Sequence, residues 1–271
     1  KTDAFEREKN NFLSVYPNST LRTTISNLST NFYIESGDTE KAIEALDKSK
    51  ANTDDADVKE NNTIKIIGLK LEKKDYKDME KYLGEISDPE ERAYYSAQYY
   101  AQKKDPKLVK EYEILLKSEK YKAYASKALG DYYFDKKDLA KSKKYYGTHV
   151  SVNKNPDEYV LYRLGQANEK ENNLKMALAD YKLVYEKKGK LAEDAMLRAA
   201  EIYDRQENNV EAEKLFTKLY ATKGNKDLKA YSIEKLIYYK LLNEKTKEAK
   251  KYYDELKKLD AKRAEKFKAY F

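Results

Sequence analysis

Apolar side chains along this chain recur at three- and four-residue steps. Ile233, Leu236, Ile237 and Leu241 fall on one stripe of a helix. Apolar runs are short, and the longest are four residues, as in Tyr159–Tyr162 and Leu236–Tyr239. None approaches the roughly twenty apolar residues of a bilayer-spanning helix. Punctuation is sparse, with 8 Gly and 4 Pro in 271 residues. That argues against a strand-rich sandwich and for long helices with short connections. Pro17, Pro89, Pro106 and Pro156 fall at helix starts or breaks. Asp88-Pro89, Asp105-Pro106 and Asn155-Pro156 read as an N-cap followed by proline at the first helical position. Asp54, Asp55 and Asp57 cluster ahead of a helix, where carboxylates suit the positive dipole end. The pattern predicts sixteen helices, among them 57–73, 75–86, 105–118, 156–172 and 261–271.

Internal self-similarity decides how these helices assemble. Ala128-Leu129-Gly130-Asp131-Tyr132-Tyr133 precedes Ala140 and Tyr145-Tyr146. Arg163-Leu164-Gly165-Gln166-Ala167 precedes Ala177 and Tyr181. Arg198-Ala199-Ala200-Glu201-Ile202-Tyr203 precedes Ala212 and Phe216, and Lys235-Leu236-Ile237-Tyr238-Tyr239 precedes Ala249 and Tyr253. The small position runs Gly130, Gly165, Ala200, then Ile237, at intervals of 35, 35 and 37. Ala177, Ala212 and Ala249 keep the same step, each with an aromatic four residues on. Each unit reads as two antiparallel helices. The small residue of the first and the alanine of the second permit close approach, and the aromatic fills the wider gap beyond. One hairpin cannot bury both faces alone, so neighbours stack into a continuous core.

These residues and their period resemble the tetratricopeptide repeat (TPR), a unit of about 34 residues. The turn Gly37-Asp38-Thr39-Glu40-Lys41-Ala42 matches it too. The resemblance is strongest over 158–256 and weakest over 57–118, where Gly68 and Ala97 fill the small position and Met79 replaces the usual alanine. It implies an all-α solenoid of about seven antiparallel helix pairs in a right-handed superhelix. Residues 1–18 would be the second helix of a truncated preceding repeat. Residues 19–118 would be TPR-like repeats, the latter two degenerate, 119–259 four regular repeats, and 260–271 a polar-faced capping helix.

The family's first helices line a concave face that takes extended or helical peptides. Carried across, its groove positions are Asn27 and Asn31, then Tyr124, Lys127 and Asp131, then Tyr159, Tyr162 and Gln166. Asp194, Leu197 and Glu201 follow, then Tyr231, Glu234 and Tyr238. Some members clamp a terminal carboxylate there. Lys127 fits, but Asp131 stands where asparagine is expected and Glu201 adds negative charge. The resemblance therefore implies an aromatic-acidic groove for a peptide with apolar and basic side chains. Phe12-Leu13-Ser14-Val15-Tyr16-Pro17-Asn18-Ser19 is similar to the junction between units in bacterial envelope members, such as the Tol–Pal coordinator and an outer-membrane assembly lipoprotein.

Composition adds exclusions. There is no Cys, so disulfides, thiolate catalysis and Cys-type zinc sites are out. The net charge is +7, yet residues 1–60 hold 8 basic and 12 acidic side chains, so the excess lies downstream. Only 7 of the 55 basic residues are Arg, and Lys alternates with Glu and Asp as on solvated helix faces. A nucleic-acid reader is disfavoured on that ground. The single histidine, His149, sits late in a second helix and reads as structural. No phosphate-cradling glycine loop or multi-histidine spacing occurs. The 27 Tyr include the doublets 94–95, 99–100, 132–133, 145–146, 238–239 and 252–253. Adjacent helical residues diverge by about 100°, so one member faces the core and the other a flank.

The reading is a non-catalytic protein-interaction scaffold with no cofactor or metal, binding a protein or peptide. The junction, the missing Cys and a start at Lys1 without Met favour the periplasm or cell envelope over the cytoplasm. The incomplete first repeat and the capping helix at the other end suggest a C-terminal piece of a longer array. End-to-end self-association is open to such a chain. The rivals are a regulatory region of a larger enzyme and a basic-surface binder of nucleic acid or anionic polymer. Replacing Ala177 or Ala212 by leucine is expected to overpack the helix crossing at about 1–3 kcal/mol, read as a lower thermal unfolding midpoint.

Overall fold

A computed structural model describes residues 2–17, 19–222 and 225–271 of the chain. Among the described residues the regular structure is helical throughout. The first seven helices are α1 (Thr2–Val15), α2 (Arg22–Glu35), α3 (Thr39–Ala51), α4 (Ala56–Lys73), α5 (Met79–Gly84), α6 (Pro89–Gln102) and α7 (Leu108–Leu115). Then come α8 (Lys122–Asp135), α9 (Leu139–Val152), α10 (Glu158–Lys170), α11 (Leu174–Glu186) and α12 (Ala192–Arg205). The last are α13 (Asn209–Tyr220), α14 (Lys226–Leu242), α15 (Thr246–Leu259) and α16 (Ala261–Ala264), the last continued by a 3₁₀ turn over Glu265–Tyr270. The chain forms two compact units, 1–125 and 126–271. Within each, helices consecutive in sequence pack together, as α2 on α3 and α3 on α4, or α10 on α11 and α11 on α12. The architecture is the all-α solenoid of helix pairs that the repeat implied.

One turn closes pair after pair. The first helix ends on a left-handed residue, at Gly37, Lys74, Lys104, Lys137, Asn172, Glu207 and Glu244. The next residue's N–H returns to a carbonyl five positions back, as in Asp38 to Tyr33 (2.9 Å), Asp138 to Tyr133 (2.9 Å), Asn173 to Asn168 (2.8 Å) and Asn208 to Tyr203 (2.9 Å). This is the Schellman closure. The returning residue is often Asp or Asn, and Asp38, Asp138 and Asn208 then cap the second helix from their side chains. One residue type thus ends one helix and starts the next.

Several expected boundaries move. The helix predicted over 75–86 starts only at Met79, because Lys74 and Asp78 both take left-handed backbone. The helix predicted over 105–118 shrinks to Leu108–Leu115, since the Asp105 carboxylate takes the Lys107 N–H in a turn ahead of it. Asn155-Pro156 is not a cap and first turn, because Asp157 caps α10 by accepting from the Tyr159 N–H. Asp55 and Asp88 do cap their helices, with Pro89 in the first turn of α6.

The core is built from aromatic rings laid on small residues. A Cβ on Gly130 would come within 2.4 Å of Tyr146 Cδ1, and one on Gly165 within 2.8 Å of Tyr181 Cε1. Tyr146 and Tyr181 are fully buried. Ala200 and Phe216 keep the same sixteen-residue offset and are buried in one core cluster. The ring therefore lies on the glycine itself, not in a gap beyond the crossing. Two sequence assignments fail. Ala140 is exposed, and the crossing residue of α9 is Ser142, fully buried, four residues before Tyr146. Its hydroxyl donates to the Gly130 carbonyl at 3.0 Å, so a polar residue fits where alanine was expected. Gly68 is exposed and a Cβ there would meet nothing within 4 Å, so it is no contact position. Ala97 and Met79 are buried.

These geometries set opposite outcomes for one substitution. Gly68→Ala, in the interior of α4, is expected to stabilise by about 0.5–1 kcal/mol through helix propensity alone. Gly130→Ala forces the pinned Tyr146 ring to move and is expected to cost about 1–3 kcal/mol. Paired thermal melts check both signs.

Candidate partner-binding face

The first helices of unit 126–271 are joined to one another by side chains that reach from one pair to the next. Lys127 on α8 pairs with Asp157, the cap of α10, at 2.6 Å, and its ammonium lies 5.2 Å from the Tyr159 ring centre. From α12, Arg205 pairs with Glu169 of α10 at 2.7 Å; burial works against the charge on Arg198, but the neighbouring Tyr162 and Glu169 of α10 raise its pKa. Lys235 on α14 pairs with Asp204 of α12. Glu234 on α14 takes Arg263 at 3.2 Å and Lys266 at 2.6 Å from the C-terminal segment. This ladder fixes which of the candidate groups remain available.

Lys127, Asp131 and Glu234 are engaged internally. Asp131 accepts from the hydroxyl of the buried Tyr146 at 2.6 Å. Such bonds recur. Tyr181 donates to Glu169 (2.8 Å), Tyr220 to Glu255 (2.8 Å) and Tyr239 to Asp204. In unit 1–125, Tyr82 donates to Asp47 and Tyr121 to Glu91, both at 2.8 Å. Each ring is buried or nearly so, and its hydroxyl ends on a carboxylate at the rim. Burial and the carboxylate together push the Tyr146, Tyr181 and Tyr239 hydroxyls far up, and for Tyr220 the Glu255 bond is the larger cause, with a value of about 12. All stay protonated and donate at neutral pH.

The rest of the candidate set is more open. Asp194 and Tyr238 are exposed, Tyr238 by 50 %, while Tyr159, Tyr162, Gln166, Leu197, Glu201 and Tyr231 are half-buried. Tyr162 packs on Tyr181, and Tyr231 meets Phe216 edge-on at 5.8 Å. In unit 1–125, Asn27 and Asn31 are exposed on α2, and Tyr124 packs against Tyr94 and Tyr112 while staying 38 % exposed. The doublet rule holds at 238–239, where Tyr239 is buried, and fails at 145–146, where both rings are buried. His149 is buried at the end of α9. No group of three or more His, Cys, Asp or Glu able to hold a metal occurs among the described residues. No helix among them is long and apolar enough to cross a membrane.

The groove reading missed a basic column. Arg163, Arg198 and Lys235 stand two residues before the small position of three successive pairs. Arg163 donates to the Tyr159 hydroxyl at 2.9 Å and stacks 4.4 Å from the Phe134 ring centre. Neither Arg163 nor Arg198 has a carboxylate partner within 4 Å among the described residues. Burial works against the charge on Lys235, but the Asp204 bond and the nearby Tyr231 raise its pKa above the lysine norm. The column keeps the step of 35 and 37 residues and was visible in the repeat alignment. The face is thus aromatic and of mixed sign, not aromatic-acidic.

No protein-family model matches the chain, and no curated protein does. Among solved structures, the chain is similar to the C-terminal part of a TPR repeat-containing protein from Cytophaga hutchinsonii. The TM-score is 0.66 at 19 % identity, over 87 % of this chain and 96 % of the other. The fold is therefore that of TPR-like helical repeats.

One pair departs from the rest inside its core. Tyr133 and Tyr145 stack 5.5 Å apart between α8 and α9. Thirty-five residues on, the same positions hold Asn168 and Asp180, both buried, with the Asn168 amide donating to Asp180 at 2.8 Å. Burial raises the Asp180 carboxyl to about 6 from its ordinary 3.8, against the pull of Asn168. Between those values the folded chain binds the extra proton, so stability falls as pH rises through this window and stays lower above it. Asp180→Asn keeps the acceptor without the charge. It is expected to stabilise by about 1–2 kcal/mol above pH 7, with the gain vanishing toward pH 4. Thermal midpoints across pH measure it.

Proposed function

We propose that the protein is a non-catalytic scaffold that binds a polypeptide along the first-helix face of unit 126–271. The carrying observation is the row of half-buried Tyr159, Tyr162 and Tyr231 interleaved with the basic Arg163, Arg198 and Lys235 on α10, α12 and α14. The Tyr159 hydroxyl is held by Arg163 at 2.9 Å and the Tyr162 ring packs on Tyr181, both before any partner arrives. Such rings lose little freedom on binding, which favours them as anchors. Tyr238 offers the most exposed ring of the set, and Asp194, Glu201, Arg163 and Arg198 offer both charge signs. The partner is accordingly a segment with apolar or aromatic anchors and charged side chains of both signs, wider than the apolar-basic peptide first inferred. The TPR-like fold of the similar Cytophaga structure supports a role in protein interaction. The bacterial cell envelope is the setting we favour, on the resemblance of residues 12–19 to envelope junctions. Asn18 of that stretch lies outside the described residues.

Peptides selected from a displayed library on the intact protein test the face. Tyr238→Ala and Arg198→Ala are each expected to weaken the selected peptides about tenfold, measured by titration calorimetry. Equal affinity for both variants and the parent would place the contact elsewhere.

A further inference from the structure

Three junctions in unit 126–271 join the second helix of one pair to the first helix of the next. The α9–α10 junction is bridged by the ion pair Lys143–Glu171. The α13–α14 junction is bridged by Glu213–Lys240 at 2.9 Å. At the α11–α12 junction the repeat register puts Leu178 where Lys143 and Glu213 stand. It puts Gln206 where Glu171 stands and Tyr203 where Lys240 stands. No ion pair closes that junction among the described residues. A second column changes at the same place. Leu129, Leu164 and Leu236 occupy one register position, and its fourth member is Ala199.

Beside these positions lies a cleft of about 380 Å³ between α11 and α12. Its volume lies at the small end of the range for ligand pockets. Leu178, Ala179 and Ala199 line its apolar part, and no carboxylate lines it. Around it stand Lys175, Lys182, Tyr185, Tyr203 and Gln206. Lys175 has no ion-pair partner among the described residues, and Lys182 has only Glu186 at 3.8 Å. In unit 126–271 the hydroxyls of Tyr146, Tyr181, Tyr220 and Tyr239 end on carboxylates. The hydroxyls of Tyr185 and Tyr203 reach none among the described residues. Burial, then the neighbouring Tyr203, Glu186 and Glu211, raises the pKa of Tyr185, so it remains a donor at neutral pH. The wall therefore carries several donors, of which Lys175, Tyr185 and Tyr203 have no carboxylate bonded to them among the described residues.

We propose that the α11–α12 cleft binds a small carboxylate carried on an apolar body, the carboxylate facing the lysines and tyrosine hydroxyls and the apolar body lying over Leu178 and Ala179. A carboxylate accepts several such bonds at once, and charge-assisted bonds are the strong ones. A cation would meet two ammonium groups, and a neutral apolar molecule would leave the donors unpaired. The site uses a different face of α12 from Asp194, Arg198 and Glu201. Its failure would leave the partner-binding reading standing, and the reverse also holds.

Calorimetric titration of the full chain with 4-phenylbutyrate tests the proposal, with 4-phenylbutanol and 4-phenylbutylamine as comparators. One site per chain is expected, at least about tenfold tighter for the acid than for the alcohol, with no binding of the amine. Ala199→Leu restores the residue found at the other register positions. It is expected to keep the fold and to weaken the acid at least about tenfold by filling the cleft. Tyr203→Phe and Lys182→Gln remove donors without filling space, and each is expected to weaken binding about fivefold. They decide the matter if Ala199→Leu does not fold. Equal binding of acid and alcohol, no binding at millimolar acid, or unchanged affinity in these variants would overturn the proposal. Binding of a glutamate-bearing peptide without the free acid would overturn the small-ligand assignment.

Discussion

Three helix pairs of unit 126–271 depend on an aromatic ring laid on a residue with little or no side chain. Gly130 under Tyr146 and Gly165 under Tyr181 are the tightest instances. An aromatic side chain removes about 150–250 Å² from water, an upper bound of roughly 4–6 kcal/mol at about 25 cal/mol per Å². No other single contact in a helix pair approaches that. The contact also sets the spacing of the two helices, so the stacking of the next pair follows from it. Where the small residue is Ala200, the ring is Phe216, which has no hydroxyl to place.

A buried tyrosine brings a second requirement. Its ring belongs in the core while its hydroxyl needs an acceptor. This chain answers with a carboxylate near the end of a neighbouring helix, at Asp47, Glu91, Asp131, Glu169, Asp204 and Glu255. That is why an acidic groove position such as Asp131 is a poor guide to the charge a partner would meet. Its negative charge is already directed inward, at Tyr146.

The fold was legible because this constraint repeats. Gly130, Gly165 and Ala200 recur at a fixed step, and periodic apolar stripes place them on helices. Two kinds of detail were not legible. Ser142 does not stand out in the sequence because alanine marks the other crossings, whereas the crossing needs only a small residue whose polar group can be satisfied. Gly68 was misplaced because one residue type can mark either a close contact or a solvent-facing helix position, and only packing tells them apart. The site was legible in its positions and not in its charges. Lys127 and Glu234 were identifiable by register, but their partners, Asp157 and Arg263, lie about thirty residues on and in other helices. Arg163, Arg198 and Lys235 carried a signal that went unread, since the groove positions were taken from the family and not from the chain's own columns.

Departures from a repeat say more about one protein than the repeat does, because the common architecture does not require them. Here they gather between α10 and α12. Asn168 and Asp180 replace a stacked tyrosine pair, Ala199 replaces leucine, and Leu178 with Tyr203 and Gln206 replaces an interhelical ion pair. Each change weakens local packing or burial: a charge is desolvated at Asp180, an apolar side chain is shortened at Ala199, and a bridge is missing at Leu178. Independent drift would scatter such losses along the array. Ser142 and Ile237 also depart from the repeat but stay buried and packed, whereas the changes at Asn168, Asp180, Leu178 and Ala199 fall on one pair and its following junction, which fits a segment whose sequence answers to something besides the stacking of helices.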